Sequence, residues 1–298
     1  MTSIFHRIIN RQKQTPVESE LPITGQTNSQ RSQPSNQTSN SQLETIFGLA
    51  QSVGQVREHN EDAVFAFGSH IAYQDIQTFA GLFIVADGMG GHADGELASG
   101  LAVRTTSSHV LETIMADFTA GNPGSNPEAI KTLLLESVQK ANQAIHQQVP
   151  GGGTTLTAVL ISDGNFNIAH VGDSRAYLIG QDGSINALTR DHSFVRQLVE
   201  LGKITEQEAA VHPQRNILSM ALGQLEPLEP DFISQPVPAN GAILICSDGL
   251  WGVLPEGKLS EIIHSSENPK IACDRLIQAA NQAGGPDNIT AILINFPN

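Results

Sequence analysis

The chain has 298 residues, with 16 Lys and Arg against 30 Asp and Glu, a net charge of -14, and a 39% hydrophobic content. That composition can bury a substantial core and excludes a wholly disordered chain. The negative balance argues against nucleic-acid and membrane-surface roles, because it repels phosphate backbones and anionic headgroups. Cys246 and Cys273 are the only cysteines, too few for a disulfide framework, so a reducing cytoplasm is the expected setting. The longest apolar runs, such as Ala242 to Cys246 and Ile289 to Ile294, fall far short of the roughly 20 residues of a membrane helix. MTSIFHRIIN lacks the apolar centre and cleavage site of a secretory signal.

From the N-terminus, residues 1–43 read as a disordered polar tail, since the Gln, Ser, Asn, Thr and Pro of 12–42 cannot bury enough surface to offset the entropy of ordering them. Within it Ile4, Phe5, Ile8 and Ile9 share a face at helical spacing beside Arg7, Arg11 and Lys13, the pattern of a docking helix or of a frayed terminus. Residues 1–45 carry four basic and three acidic side chains, so the acidity belongs to the rest of the chain. The stretches Ile46 to Val53, Ala63 to Phe67 and Leu82 to Ala86 read as strands. Glu96 to Phe118 and Pro127 to Val149 then read as two long helices, followed by strands at Leu156 to Ile161, Ile168 to Val171, Ala176 to Ile179, Ile243 to Cys246 and Ile289 to Ile294. Two helices in succession break any strict strand–helix alternation, which favours an α+β layered domain, 44–298, over a doubly wound parallel sheet.

Acids recur at the predicted strand ends. FIVADG places Asp87 directly after a strand, as IAHVGDS does Asp173 and ILICSDG does Asp248. GGPDNIT places Asp287 just before a strand, and VREHNEDAV places Arg57, Glu61 and Asp62 before another. Each acid alone is an ordinary turn or helix-cap residue. Together they would repel one another unless a cation lies among them. A set of oxygens without matched Cys or His ligands selects magnesium or manganese over zinc.

The motifs RxxxED (Arg57 to Asp62), VADGMGGH, GGTTLTA, AHVGDSRAYL, LTRDHS, CSDGLW and GGPDNIT follow one another in the chain. In that order they resemble the metal-dependent serine/threonine protein phosphatases of the PP2C type, bacterial branch, from about Ile46 to Phe296. The resemblance implies a four-layer α-β-β-α sandwich of two packed antiparallel sheets flanked by helices. It implies two manganese or magnesium ions, with Asp87 bridging them, Asp248 and Asp287 completing the first, and the Gly88 carbonyl with Glu61 serving the second. Asp62 matches an acid that orients the attacking water. Asp173, with Asp248, matches the ligands of a third, weaker ion, or else forms a plain turn.

Phosphomonoester hydrolysis needs a nucleophile and neutralisation of the phosphoryl oxygens. Two ions about 3.5–4 Å apart supply both, so neither cysteine is required, and both read as packing residues. The guanidinium of Arg57 matches two phosphate oxygens, the alternative being a salt bridge to Glu58 or Asp62. Met89 stands where animal members carry a histidine, which leaves the general acid unassigned. His92 either donates that proton or makes a structural hydrogen bond at the start of the next helix. Residues 191–230 resemble the flap of bacterial members, with Phe194, Leu198 and Leu201 on an amphipathic helix and a His212–Pro213 turn facing the cleft. His212 and Arg215 are expected to tune substrate choice.

Other classes fare worse. Gly88 to Ala93 formally fits a dinucleotide-binding turn, but Asp87 would face the pyrophosphate and the βαβ context is lacking. A two-metal nuclease should carry a basic groove. A catalytically silent phosphoprotein-binding scaffold should have lost acids that are all present here. The expectation is therefore a monomeric cytoplasmic phosphatase acting on phosphoserine and phosphothreonine, with phosphorylated proteins and serine/threonine kinases as its partners.

Overall fold

The computed structural model describes residues 47–73, 76–90, 93–119, 126–224, 228–238 and 240–296. The expected tail and its Ile4 to Ile9 face lie outside them. In chain order the elements are β1 (Phe47–Ser52), β2 (Asp62–Tyr73), β3 (Ile76–Met89), α1 (Ala93–Thr119) and α2 (Pro127–Gln148). Next come β4 (Gly153–Thr154), β5 (Leu156–Ser162), β6 (Asn165–Val171), β7 (Arg175–Gly180), β8 (Ile185–Ala187), α3 (Phe194–Glu200) and α4 (Glu206–Ala210). The last are β9 (Asp231–Pro236), β10 (Gly241–Cys246), α5 (Asp248–Trp251), α6 (Glu256–His264), α7 (Pro269–Gln282) and β11 (Ile289–Phe296).

Two antiparallel sheets result, one ordered β1-β11-β10-β7-β8 and the other β2-β3-β5-β6-β9, with β4 paired to β3. The period-2 alternation of side chains explains their stacking. On β3, Leu82, Ile84 and Ala86 pack with residues of α1 and α2, whereas Phe83 and Val85 join Ile243, Ile245, Ile292 and Ile294 of the opposite sheet. On β10 the other face, Leu244 and Cys246, packs with Leu259, Leu276 and Ile277 of α6 and α7. Three apolar cores therefore lie between four layers, which is the expected α-β-β-α sandwich. Central strands buried on both faces are why the sequence shows continuous apolar runs such as Leu82 to Ala86.

Helix ends are set locally. Asn126 and Asn268 accept hydrogen bonds from Glu128 and Ile271 backbone N–H groups, each followed by a proline at the first helical position of α2 and α7. Thr205 and Glu208 form a reciprocal capping box that starts α4. Both cysteines are fully buried in the sheet–helix core, Cys273 donating to the Gly48 carbonyl, as packing residues would be.

Candidate metal and phosphate site

The acids gather where the strand ends of both sheets meet. Asp62 opens β2 and pairs in register with Asp87 near the end of β3. From the other sheet, Asp248 follows β10 and Asp287 precedes β11. Asp173 stands in the turn between β6 and β7, where Gly172 takes a positive φ of 106° and an added Cβ would meet Thr155 at 2.5 Å. Only glycine suits that close turn.

Each acid has its own support. One oxygen of Asp62 accepts hydrogen bonds from Ser247 Oγ and Thr290 Oγ1, both at 2.7 Å. The Asp87 backbone is held by Thr155 Oγ1 (2.9 Å) and by Thr154 Oγ1 (2.9 Å), which accounts for the first two of the three threonines in GGTTLTA. Asp287 pairs with Arg57 Nη2 at 2.8 Å, so the arginine bridges to this acid and to neither Glu58 nor Asp62. Asn288 donates to the Val53 and His59 carbonyls (2.9 and 2.8 Å) and accepts from Glu61 N–H (2.8 Å), fixing the segment that carries Arg57 and Glu61.

Gly88 and Glu61 meet at the start of α1. A Cβ on Gly88 would lie 2.2 Å from the Gly95 carbonyl, and one on Gly95 would lie 2.6 Å from Glu61 Oε2. The two glycines thus let strand, helix and the Glu61 carboxylate approach closely. Ser99 Oγ and Gly88 N–H both donate to the Glu61 carbonyl, at 2.6 and 3.1 Å. His92 lies outside the described residues.

The electrostatics record a crowd of like charges. Burial pushes the Asp62 carboxyl up to about 7, against the pull of the Thr290 and Ser247 hydroxyls. Asp87 is pushed well above the carboxylate range by burial and then by Asp62, Asp248 and Asp173. Burial raises Asp248 to about 6, with Asp287 adding to it and a hydrogen bond with Asp87 working the other way. Asp173 is raised by burial, then by Asp248 and Asp191, while Arg175 opposes the rise. Asp87 and Asp248 stay partly open to solvent, which tempers the cost.

Asp62 Oδ1 and Asp248 Oδ1 are buried and have no hydrogen-bond partner. A buried unpaired carboxylate oxygen is costly, and two at one set of mutually repelling acids mark a place that a cation fits. Among the described residues no three His, Cys, Asp or Glu groups stand together in a way that could hold a metal ion as they are placed. The acids keep separate supports, yet Asp87 and Asp248 also share a hydrogen bond, and the oxygen-only donor set suits hard divalent ions.

A cleft of about 530 Å³ opens at the acids, lined by Arg57, Asp173, Asp248 and Asp287 and by flap residues including Arg215. His212 itself is not among the lining residues, whereas Arg215, which closes the same turn, is. The turn closes locally through Arg215 N–H to the His212 carbonyl and Gln214 N–H to His212 Nδ1, both 3.1 Å, and the ring packs 6.4 Å from Phe194. Leu201 caps α3 and is exposed, Val195 being the buried residue of that helix. Nothing in the sequence pointed to Arg175, whose guanidinium binds both Asp191 oxygens (2.8 and 2.7 Å) and stacks 3.6 Å over Trp251. Trp251 Nε1 in turn donates to the Asp173 carbonyl at 3.0 Å.

Oxygen donors thus cluster at one end of a β-sandwich with a guanidinium at the rim, a donor set suited to hard cations and to an anionic group. Residues 54–290 match the family described as Protein phosphatase 2C, and the chain belongs to that family. It is 39% identical over 247 residues to the serine/threonine phosphatase stp of Listeria innocua, covering 81% of this chain and 92% of that one. It is 37% identical over 246 residues to the phosphatase PstP of Mycobacterium tuberculosis, covering 80% of this chain and 43% of PstP. Among solved structures, the S. agalactiae serine/threonine phosphatase superposes with a TM-score of 0.73 at 34% identity, over 84% of this chain and 98% of that one. The catalytic domain of PstP in complex with two manganese ions superposes at 0.67 with 32% identity, over 84% and 97%.

Proposed function

We propose that the chain is a manganese- or magnesium-dependent phosphatase that hydrolyses phosphoserine and phosphothreonine in proteins. The observation that carries this is the pair of buried, unpartnered carboxylate oxygens on Asp62 and Asp248 within the crowd of acids. Asp87, Asp248 and Asp287 would hold one ion, Asp87 with Glu61 and the Gly88 carbonyl a second, and Asp173 with Asp248 a weaker third. Bound ions supply Lewis-acid charge and make water nucleophilic near neutral pH. Asp62, fixed through one oxygen by two hydroxyls, presents its other oxygen to orient the attacking water. Arg57, half exposed and already anchored at Asp287, holds phosphate oxygens through its remaining donors. His92 is a candidate proton donor to the leaving oxygen. Arg215 on the cleft wall, with His212 in the same turn, tunes the choice of substrate.

The free buried thiols support a reducing cytoplasm, and among the described residues no helix is long and apolar enough to cross a membrane. A monomer made of a polar tail, 1–43, and a catalytic domain, 44–298, with serine/threonine kinases as counterparts, completes the proposal. The test is hydrolysis of p-nitrophenyl phosphate after chelator treatment, with and without added manganese. Activity only with metal supports the phosphatase. No activity at any metal concentration supports the silent scaffold instead.

A further inference from the structure

Arg175 and Trp251 enter none of the roles assigned above, yet both line the cleft with Asp173 and Asp248. Together they join three stretches of chain. Trp251 closes the single helical turn of α5 that Asp248 opens, a turn fixed by Gly252 N–H to the Asp248 carbonyl at 2.8 Å. Three residues apart on a helix, the two side chains share a face. From there Trp251 Nε1 reaches the β6–β7 turn and donates to the Asp173 carbonyl at 3.0 Å. Arg175, two residues past Asp173, covers the indole at 3.6 Å and is itself locked, by both Asp191 oxygens and by Tyr177 Oη at 2.9 Å. A planar guanidinium held through Nε, Nη1 and Nη2 over an aromatic face is a rigid plate. Of the neighbouring charges, that of Asp248 weighs most on Asp173, and Asp248 keeps a buried oxygen without a partner.

We infer that Trp251, braced by Arg175, is a positioning residue that sets the separation of Asp173 from Asp248 and with it the affinity of the weaker third ion. The inference rests on the phosphatase reading above and on its assignment of that ion to these two acids. Two carboxylates are few ligands for a hard cation, so the strength of the site depends on how firmly their spacing is fixed beforehand. The indole N–H supplies that fixing, since it ties the backbone that carries one acid to the helix that carries the other. Loss of such a support costs about ten- to a hundredfold in metal affinity. The acids assigned to the tighter ions are held elsewhere, Asp87 by Thr155 and Asp287 by Arg57.

Isothermal titration calorimetry of manganese into the chelator-stripped full chain reads the ions apart without turnover. Wild type should show a tight class and a weaker one, and Asp173→Asn should lose the weaker. Trp251→Phe keeps an aromatic ring under Arg175 and loses the N–H. Its weaker class should have a Kd raised about tenfold or more, with the tight class unchanged. Arg175→Lys, which keeps the charge and loses the planar fork, should act in the same direction. A merely structural role would lower the melting temperature and leave the ratio of the two constants where it was. A weaker class unchanged in both variants but lost in Asp173→Asn overturns the positioning role and leaves the phosphatase intact. An isotherm that Asp173→Asn does not alter removes the third ion, and the inference with it. No manganese bound by wild type, together with no hydrolysis of p-nitrophenyl phosphate at any metal concentration, overturns the phosphatase reading itself.

Discussion

Asp62 and Asp87 are direct cross-strand partners at the mouth of the β2–β3 ladder. Like charges placed opposite one another in this way destabilise a sheet, and burial raises both carboxyls. Asp87→Asn removes one of the two charges. The expected outcome is a loss of activity of more than about a hundredfold, since even a supporting partner of a ligand can cost that much. The chelated variant should melt no lower than chelated wild type. Near-normal turnover would remove Asp87 from the bridging role.

Metal binding should stabilise the fold. At about 100 times the dissociation constant the linkage amounts to about 2.7 kcal/mol, a rise of about 5–10 °C for a domain of this size. Differential scanning calorimetry with manganese and with chelator measures it. Coincident melting curves would argue against a shared site for the acids.

Arg57 is half exposed, so its pair with Asp287 contributes at most about 1 kcal/mol to stability. Arg57→Lys keeps the charge and loses the planar fork. The melting temperature should barely move, while KM for p-nitrophenyl phosphate rises about tenfold or more, the cost of a lost charge-assisted hydrogen bond. An unchanged KM would place the phosphate elsewhere.

Asn288 satisfies three backbone groups of residues 53–61 with one side chain. Asn288→Ala orphans them at a cost of about 1–3 kcal/mol, measurable by urea denaturation. Because Arg57 and Glu61 share that segment, the folded variant should also need more manganese for half-maximal activity. A variant that is merely less stable, with its metal requirement unchanged, would reduce Asn288 to a structural tie.

His170 is fully buried between Thr157 and the Arg190 carbonyl. Burial, and then neighbouring His192, lowers it from 6.5 to about 4. The unfolded chain therefore binds this proton between those two values and the folded chain does not. Stability from this group is complete above pH 6.5 and is lost as pH falls toward 4, on the order of 3 kcal/mol in all. Relative to His170→Gln, wild type should lose that much more between pH 7 and 4. Parallel stability curves for the two proteins would contradict it.

The strands buried on both faces were legible because a doubly covered strand must be apolar throughout. The far ends of β2 and β3, residues 68–73 and 76–78, were not, since their sequences GSHIAY and IQT mix polar and apolar residues. Partly exposed β9, ending in Pro236, carries too little apolar signal to stand out. The helix α7 had a readable start in Asn268–Pro269 and apolar spacing at Ala272, Leu276 and Ala280, a weaker signal than the acidic motifs on either side of it. The acids themselves declared their place through their position at strand ends. Their supports did not: Ser247 and Thr290 lie 185 and 228 residues from Asp62 in sequence, a proximity that only the packed sheets create. That Arg215 rather than His212 of one turn lines the cleft was not legible, because a turn motif says where the chain reverses and nothing about which way the ring swings.

The acids are divided between the two sheets, Asp62 and Asp87 on one and Asp248 and Asp287 at strand ends of the other. A cation shared among them is therefore a clasp across the seam of the sandwich. On the proposed assignment neither sheet alone would hold a complete centre, so opening of the seam should abolish turnover before either sheet melts. Turnover would then report on assembly, since a chain with its sheets apart would lack half of the acids.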